Sequence, residues 1–383
     1  MGGHHFIWYR GFCRALLELG CQVAAFCPDP DDVKNYLASC MEAEALSRIR
    51  FFQLKVPPQP RFCFSRWRPR LQASAFASLF RTGLAELESA FGKPADLVFF
   101  ACLYEHQQHL CHRAVDTIQR PWAGLNIHAR SEGAPGGITM PDLLRHPRLS
   151  SVAVIDEGIA PVVERTLQKP VVVFPDFTDE TWEPAHPLEQ RFRRFAGNNK
   201  LIASIGHMRP NKGVGTLAQI AVDPAAKGLA FAFAGEIDWN WLGSPARDFL
   251  TQAMLNAPGA MFHMASVPDG AAYNGIVRAC DVMFAAYLNF PHSSNTLTKA
   301  AVFEKPLIVS DGHLMAKRVR EYRMGEIVPQ DDPKATLEAV HQLTANYPAW
   351  LEKNQPRWKE YREAHSYKAL LRAFSKLLGV LPG

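Results

Sequence analysis

The stretch KLIASIGHMRPNKGVGTLAQIA, Lys200–Ala221, decides the fold. KLIASI is an apolar run of the kind a parallel sheet buries on both faces, and GTLAQIA has helical spacing. The turn between them holds Gly206, Gly213 and Gly215 with two cations, Arg209 and Lys212. Glycine lets a backbone approach a ligand closely. The N–H groups at a helix start attract anions, and Arg and Lys neutralise them. Gly206, Arg209 and Lys212 are therefore candidate diphosphate-binding residues. The GxxxxGK[ST] spacing is absent, so this is no Walker loop. The plainer reading is an ordinary strand–helix turn with solvated cations.

Working outward, similar units recur. CQVAAFCPDP, ADLVFFACL, WAGLNIHA, SVAVIDEG and PVVVFPDF precede the central stretch. AFAFAGEI, GAMFHMA, CDVMFAAY, KPLIVSDG and MGEIVPQ follow it. Amphipathic stretches such as SPARDFLTQAML and GAAYNGIVRA separate them, long enough for right-handed crossover helices. Two such series predict an α/β protein with two doubly wound, Rossmann-like domains. The polar, proline-bearing segment 178–198 marks the expected boundary. Residues 1–180 then form the N-terminal domain and 181–350 the C-terminal one. The helical tail 351–383 is expected to cross back to the first. One irregularity stands at the front: GGHHFIWYRGFCRALLELG reads as a turn and its helix with no strand ahead of it. Either the chain start is truncated or the first sheet lacks its central strand.

Composition bounds the class. The 383 residues are 48% hydrophobic and 21% charged, which suits folded domains and excludes wholesale disorder. No apolar run is long enough to suggest a membrane span. The eight cysteines form no CxxC pair, so neither a zinc site nor a disulfide framework is expected, and a cytoplasmic location fits. A net charge of +5 favours anionic partners only weakly.

A second cradle stands at NFPHSSNTLTKAAVFEKPLIVSD. Ser293, Ser294, Asn295 and Thr296 precede a helix running to Phe303. Their side chains can cap it, and the free N–H groups behind them can meet an anion. An ordinary N-cap is the alternative.

In order, SIGHMRPNKGVGTL, FAFAGEI, SVPDGAAYNGIVRACDVMFAAY, SSNTLTKAAVFEKPLIVSD and GEIVPQDDP resemble the family-4 retaining glycosyltransferases of the GT-B fold. The likeness covers the C-terminal half; the first half is compatible in layout. It implies two domains facing across a cleft and transfer of a sugar from a nucleotide-diphosphate donor with retention. Such enzymes generally need neither metal nor cofactor, since cations and helix dipoles stabilise the leaving diphosphate. It also implies that Arg209, Lys212 and the N–H groups of residues 295–297 hold the diphosphate. The family carries two glutamates with seven residues between them; here Pro291 and Lys299 stand in their places. A lysine cannot accept hydrogen bonds from a ribose, so Lys299 is expected to lend charge near phosphate. A non-catalytic nucleotide-sugar or glycan-binding protein is the alternative, and sugar-nucleotide epimerisation a third.

Other candidates are weighed individually. His128 ends WAGLNIHA, where related enzymes place a histidine near the donor sugar, and is the candidate catalytic residue. Gly2, Gly3 and His4 sit in the loop expected to face the cleft; a tag remnant is the competing reading. His106 and His109 have metal-like spacing without a third ligand. Asp29–Asp31 echo a DxD metal motif but read better as a helix start. Residues 61–70 interleave Arg61, Arg66, Arg68 and Arg70 with Phe62, Phe64 and Trp67. That pattern suits an anionic membrane surface at the inner face or an anionic acceptor. No nucleic-acid module is recognised. The acceptor is read only as a glycan, a lipid-linked sugar or a small molecule.

Overall fold

The computed structural model describes residues 5–54, 68–103, 112–126 and 142–379. The chain divides into two compact units, Met1–Pro175 with Tyr367–Gly383, and Asp176–Ser366.

In unit 1, α1 (His5–Glu18) leads into β1 (Val23–Cys27), then α2 (Pro30–Cys40), α3 (Ala43–Leu46), β2 (Ile49–Gln53) and α4 (Arg68–Phe91). β3 (Val98–Phe100), α5 (His112–Val115), β4 (Trp122–Leu125), β5 (Leu149–Val154), α6 (Ala160–Leu167) and β6 (Val171–Val173) follow. β1 and β2 form one parallel pair; β3, β4, β5 and β6 form a parallel sheet in that order. IRFFQ, the strand β2, was not among the expected strands. Its charged Arg50 and half-exposed pattern hide it from a search for continuous apolar runs. Asp29 caps α2 by accepting from the Asp32 N–H at 3.2 Å, which agrees with reading that segment as a helix start.

Unit 2 holds α7 (Pro187–Ala196), β7 (Lys200–Ile205), α8 (Val214–Ala221), β8 (Leu229–Ala234), α9 (Ser244–Asn256) and β9 (Ala260–His263). It continues with α10 (Ala271–Ala279), β10 (Val282–Ala285), α11 (Asn295–Val302), β11 (Leu307–Ser310), α12 (Leu314–Tyr322) and β12 (Gly325–Val328). Helices α13 (Pro333–Ala345), α14 (Tyr347–Asn354) and α15 (Trp358–Ala364) close it. Its six parallel strands run in the order β12-β11-β10-β7-β8-β9. Strand alternation sorts β7 between two cores. Leu201, Ala203 and Ile205 pack with α7, α10 and α11, whereas Ile202 packs with Phe231, Phe233 and helices α8 and α9. Each fully buried phenylalanine contributes about 1.5–3 kcal/mol.

The last helix, α16 (Tyr367–Leu378), belongs to unit 1, where Phe374 meets Phe12, Phe99 and Phe174 edge-on. The observed division departs from the expected limits for a packing reason. Trp358 and Tyr361 are buried in the unit 2 core, and the Asp176 carbonyl accepts from Thr298 Oγ1 at 2.6 Å. Both segments therefore stay with unit 2.

Candidate functional site

The turn after β7 is shaped by backbone conformations only glycine takes without strain. Gly213 has φ +65°, and a Cβ there would lie 2.1 Å from the Ala286 carbonyl oxygen. The loop is thereby pressed against the end of β10, and the Leu288 N–H donates to the Asn211 carbonyl at 2.9 Å. Arg209 is exposed and has no ion pair among the described residues, while Lys212 is half-buried.

Lys212 Nζ lies 3.9 Å from the centre of the Tyr287 ring and 5.6 Å from that of Phe290. A partly desolvated cation over an aromatic face gains about 0.5–2 kcal/mol. The Tyr287 hydroxyl in turn meets Thr296 Oγ1 at 3.1 Å, in the first turn of α11. Burial raises the Tyr287 phenol, but the Lys212 charge and hydrogen bonds with Thr296 and Ser294 outweigh it and bring the group below its ordinary range. Tyr287 thus joins the glycine turn to the start of α11. Sequence reasoning missed it, although an aromatic ending a strand on the ligand-binding side of a parallel sheet was a usable signal.

At α11 the Ser294 hydroxyl caps the helix by accepting from the Thr296 N–H at 3.4 Å. Its neighbour Ser293 donates to Asp176 Oδ2 and accepts from Arg318 Nη1 at 2.7 Å. The Leu297 N–H turns back onto the Ser294 carbonyl at 2.9 Å, and Leu297 is fully buried. That bond competes with the expected contact of Leu297 with a phosphate, and the Thr296 N–H is likewise turned onto the Ser294 hydroxyl at a longer 3.4 Å, so the Asn295 N–H is the group the helix start offers first.

Lys299 needs a second correction. It is completely buried, and its ammonium bonds Asp269 Oδ1 at 2.7 Å, Asn274 Oδ1 at 2.6 Å and the Asp179 carbonyl at 2.6 Å. All three hydrogens are taken, so it lends no charge to a phosphate. Asn274 Nδ2 extends the network to the carbonyls of Asp179 and Thr181. Asp269 also accepts from Asn295 Nδ2 at 3.2 Å, so the lysine network touches the helix start through one carboxylate. These partners lie far apart in sequence, and no local pattern announces them.

The structure thus brings together Lys212, Ser294, Asn295 and Thr296, with Gly206 at φ +104° opening the turn. Gly2, Gly3, His4, His106, His109 and His128 lie outside the described residues, as do residues 61–67 of the basic–aromatic stretch. Among the described residues, no helix is long and apolar enough to cross a membrane.

Solved structures place this architecture. Anabaena HepE, in a complex with UDP and glucose, matches at a TM-score of 0.67 and 12% identity, covering 99% of this chain and 96% of its own. A glycosyltransferase from Rickettsia africae matches at 0.67 and 11% identity, over 99% of this chain and 95% of its own. Sucrose-phosphate synthase of Thermosynechococcus elongatus matches at 0.65 and 16% identity, over 98% and 93%. The chain has the GT-B fold. No family model matches the sequence, and no curated protein does either. In GT-B terms the glycine turn and the start of α11 both belong to the C-terminal Rossmann-like unit.

Proposed function

We propose that the protein transfers a sugar from a nucleoside-diphosphate sugar to a glycan, lipid-linked or small-molecule acceptor, with retention and without a metal cofactor. The observation that carries this reading is the link from Lys212 through Tyr287 to Thr296, which gathers a cation and a helix start at one place. Charge on the leaving diphosphate grows toward the transition state. Contacts from Lys212, Arg209 and the Asn295 and Thr296 N–H groups would therefore accelerate departure as well as bind. UDP, present in the HepE complexes, is the first nucleotide to try. His128 is proposed to orient the donor sugar, and the site to lie in the cytoplasm.

One observation favours a second reading, a non-catalytic nucleotide-sugar-binding protein. The two places where the resembling family has carboxylates hold Pro291 and a Lys299 whose hydrogens are all used. Calorimetric titration with nucleoside diphosphates, followed by turnover on a panel of nucleotide sugars, separates the two. The paired Arg209→Ala and Lys212→Ala changes should weaken diphosphate binding at least about a hundredfold, at about 1.5–3 kcal/mol per charged hydrogen bond. The unfolding temperature should fall by no more than the few degrees that the lost contact of Lys212 with Tyr287 accounts for. Unchanged affinity would remove the site; binding without turnover would select the second reading.

A further inference from the structure

Buried charges gather in unit 2 beside the chain that leads into α11. Asp176 and Arg318 are each 1% exposed, and the Ser293 hydroxyl stands between them. It donates to Asp176 Oδ2 and accepts from Arg318 Nη1 at 2.7 Å. Ser293 comes directly before Ser294, the cap of α11.

Asp176 holds the same segment a second time. Its carbonyl accepts from Thr298 Oγ1 at 2.6 Å, and Thr298 is buried. Its own N–H donates to Nδ1 of His365, the residue that ends α15, at 3.1 Å. Ser293 and Thr298 stand at the two ends of the first turn of α11, so one residue secures that turn fore and aft. Arg318, on α12, adds a further hold through Ser293. All of these residues lie in unit 2.

Stability alone does not call for this arrangement. Burying two charges costs desolvation that their attraction scarcely offsets, and apolar packing of the same volume is often as stable. What hydrogen-bonded buried charges supply is a single allowed arrangement, because each alternative strands a charge or a polar group. Here the arrangement so fixed is that of a helix start. Ser294, at φ −136° and ψ 136°, sets the direction of the Asn295 N–H. With Ser293 held ahead of it and Thr298 behind, those two angles have little freedom. The Asn295 side-chain amide is turned onto Asp269 at 3.2 Å, so the main-chain N–H is what the residue presents to an anion. Charge is balanced as well. The Arg318 cation offsets the Asp176 carboxylate, which by itself would compete with an anion for the positive end of the helix.

We propose that Asp176 and Arg318 are positioning residues for the diphosphate site, acting through the Ser293 hydroxyl to aim the Asn295 N–H. The proposal rests on the reading of the α11 start as part of a diphosphate site. Both charged side chains are buried, and their effect on a ligand passes through Ser293.

Ser293→Ala removes the bridging hydroxyl and leaves both charges in place, while Ser293→Thr keeps a hydroxyl there. Two readouts are taken on the full chain well below its unfolding temperature: the Kd for UDP and the backbone amide order parameters of Asn295 and Thr296. Ser293→Ala should weaken UDP binding about tenfold and lower those order parameters from about 0.85 toward about 0.6. Ala300 and Ala301, further along α11, should stay rigid. Ser293→Thr should bring both readouts back close to the parent. Leu343→Ala, in the core that α8 and α9 share, should lower Tm at least as much and change neither readout. Parent-like affinity and amide rigidity in Ser293→Ala would overturn the proposal. So would an affinity loss that Leu343→Ala shares, since that marks a general loosening of the unit. A parent that binds no UDP overturns the diphosphate reading instead; the order parameters then decide alone whether Ser293 positions the helix start.

Discussion

Replacing Lys299 with methionine keeps the buried stem and removes the ammonium. Three hydrogen bonds go with it, and the Asp269 carboxylate, Asn274 Oδ1 and the Asp179 carbonyl lose their donor. Removing one partner from a buried pair costs about 3–5 kcal/mol. The Asp269 side chain is 18% exposed and recovers some hydration, which places the loss near the lower end, at about 3 kcal/mol. In a unit of roughly 190 residues each kcal/mol moves Tm by about 2–4 °C, so a fall of about 6–12 °C is expected. Differential scanning calorimetry with and without a nucleoside diphosphate measures both quantities. Pairing the change with Asp269→Asn should recover part of the loss, because the stranded carboxylate is then neutral. A Tm within about 2 °C of the parent, together with a large drop in nucleotide affinity, would refute the reasoning. Lys299 would then act on the ligand, not on the fold.

Gly213→Ala forces a Cβ onto the Ala286 carbonyl at a positive φ; we expect a loss of about 2 kcal/mol or more and weaker nucleotide binding, read by urea unfolding and titration. Tyr287→Phe keeps the ring under Lys212 and removes the hydroxyl from Thr296, costing about 1 kcal/mol in the same unfolding assay. Burial pushes the Cys280 thiol up to about 12. Its folded pKa exceeds the unfolded one, so this stabilisation is complete below about pH 8.5 and is lost as pH rises toward 12. Denaturation at pH 8 and pH 10.5 should show a steeper decline for the parent than for Cys280→Ala, and equal declines would count against it.

Much of unit 2 was legible in the sequence because its signals are local. β7, the glycine turn and α8 follow from apolar spacing and from residues only a turn would want, and Ser294 announces the cap of α11. β2 was hidden because its burial is one-sided and interrupted by Arg50. The site was half legible. Arg209, Lys212 and Ser294–Thr296 are marked by residue type and neighbourhood. Tyr287 becomes meaningful only when the strand end it occupies is set between two segments. Lys299 was misjudged because a charge invites a ligand, and only the fold reveals Asp269 and Asn274 waiting beside it. Leu297 was misjudged for a smaller reason, since the bond its N–H makes to Ser294 is a detail of the first helical turn.

The pairing of Phe12 with Phe374 has a consequence for how the protein is made. Synthesis from the N-terminus lets Asp176–Ser366 collapse before α16 has left the ribosome. The aromatic cluster opened by the first helix must wait for residues translated after that whole unit. Closing so long a loop in a floppy chain is entropically costly, but a folded insert fixes the separation of its own two ends and shortens the search. Removal of the chain from Tyr367 onward should therefore leave Asp176–Ser366 able to fold and deprive the opening segment of its closing piece.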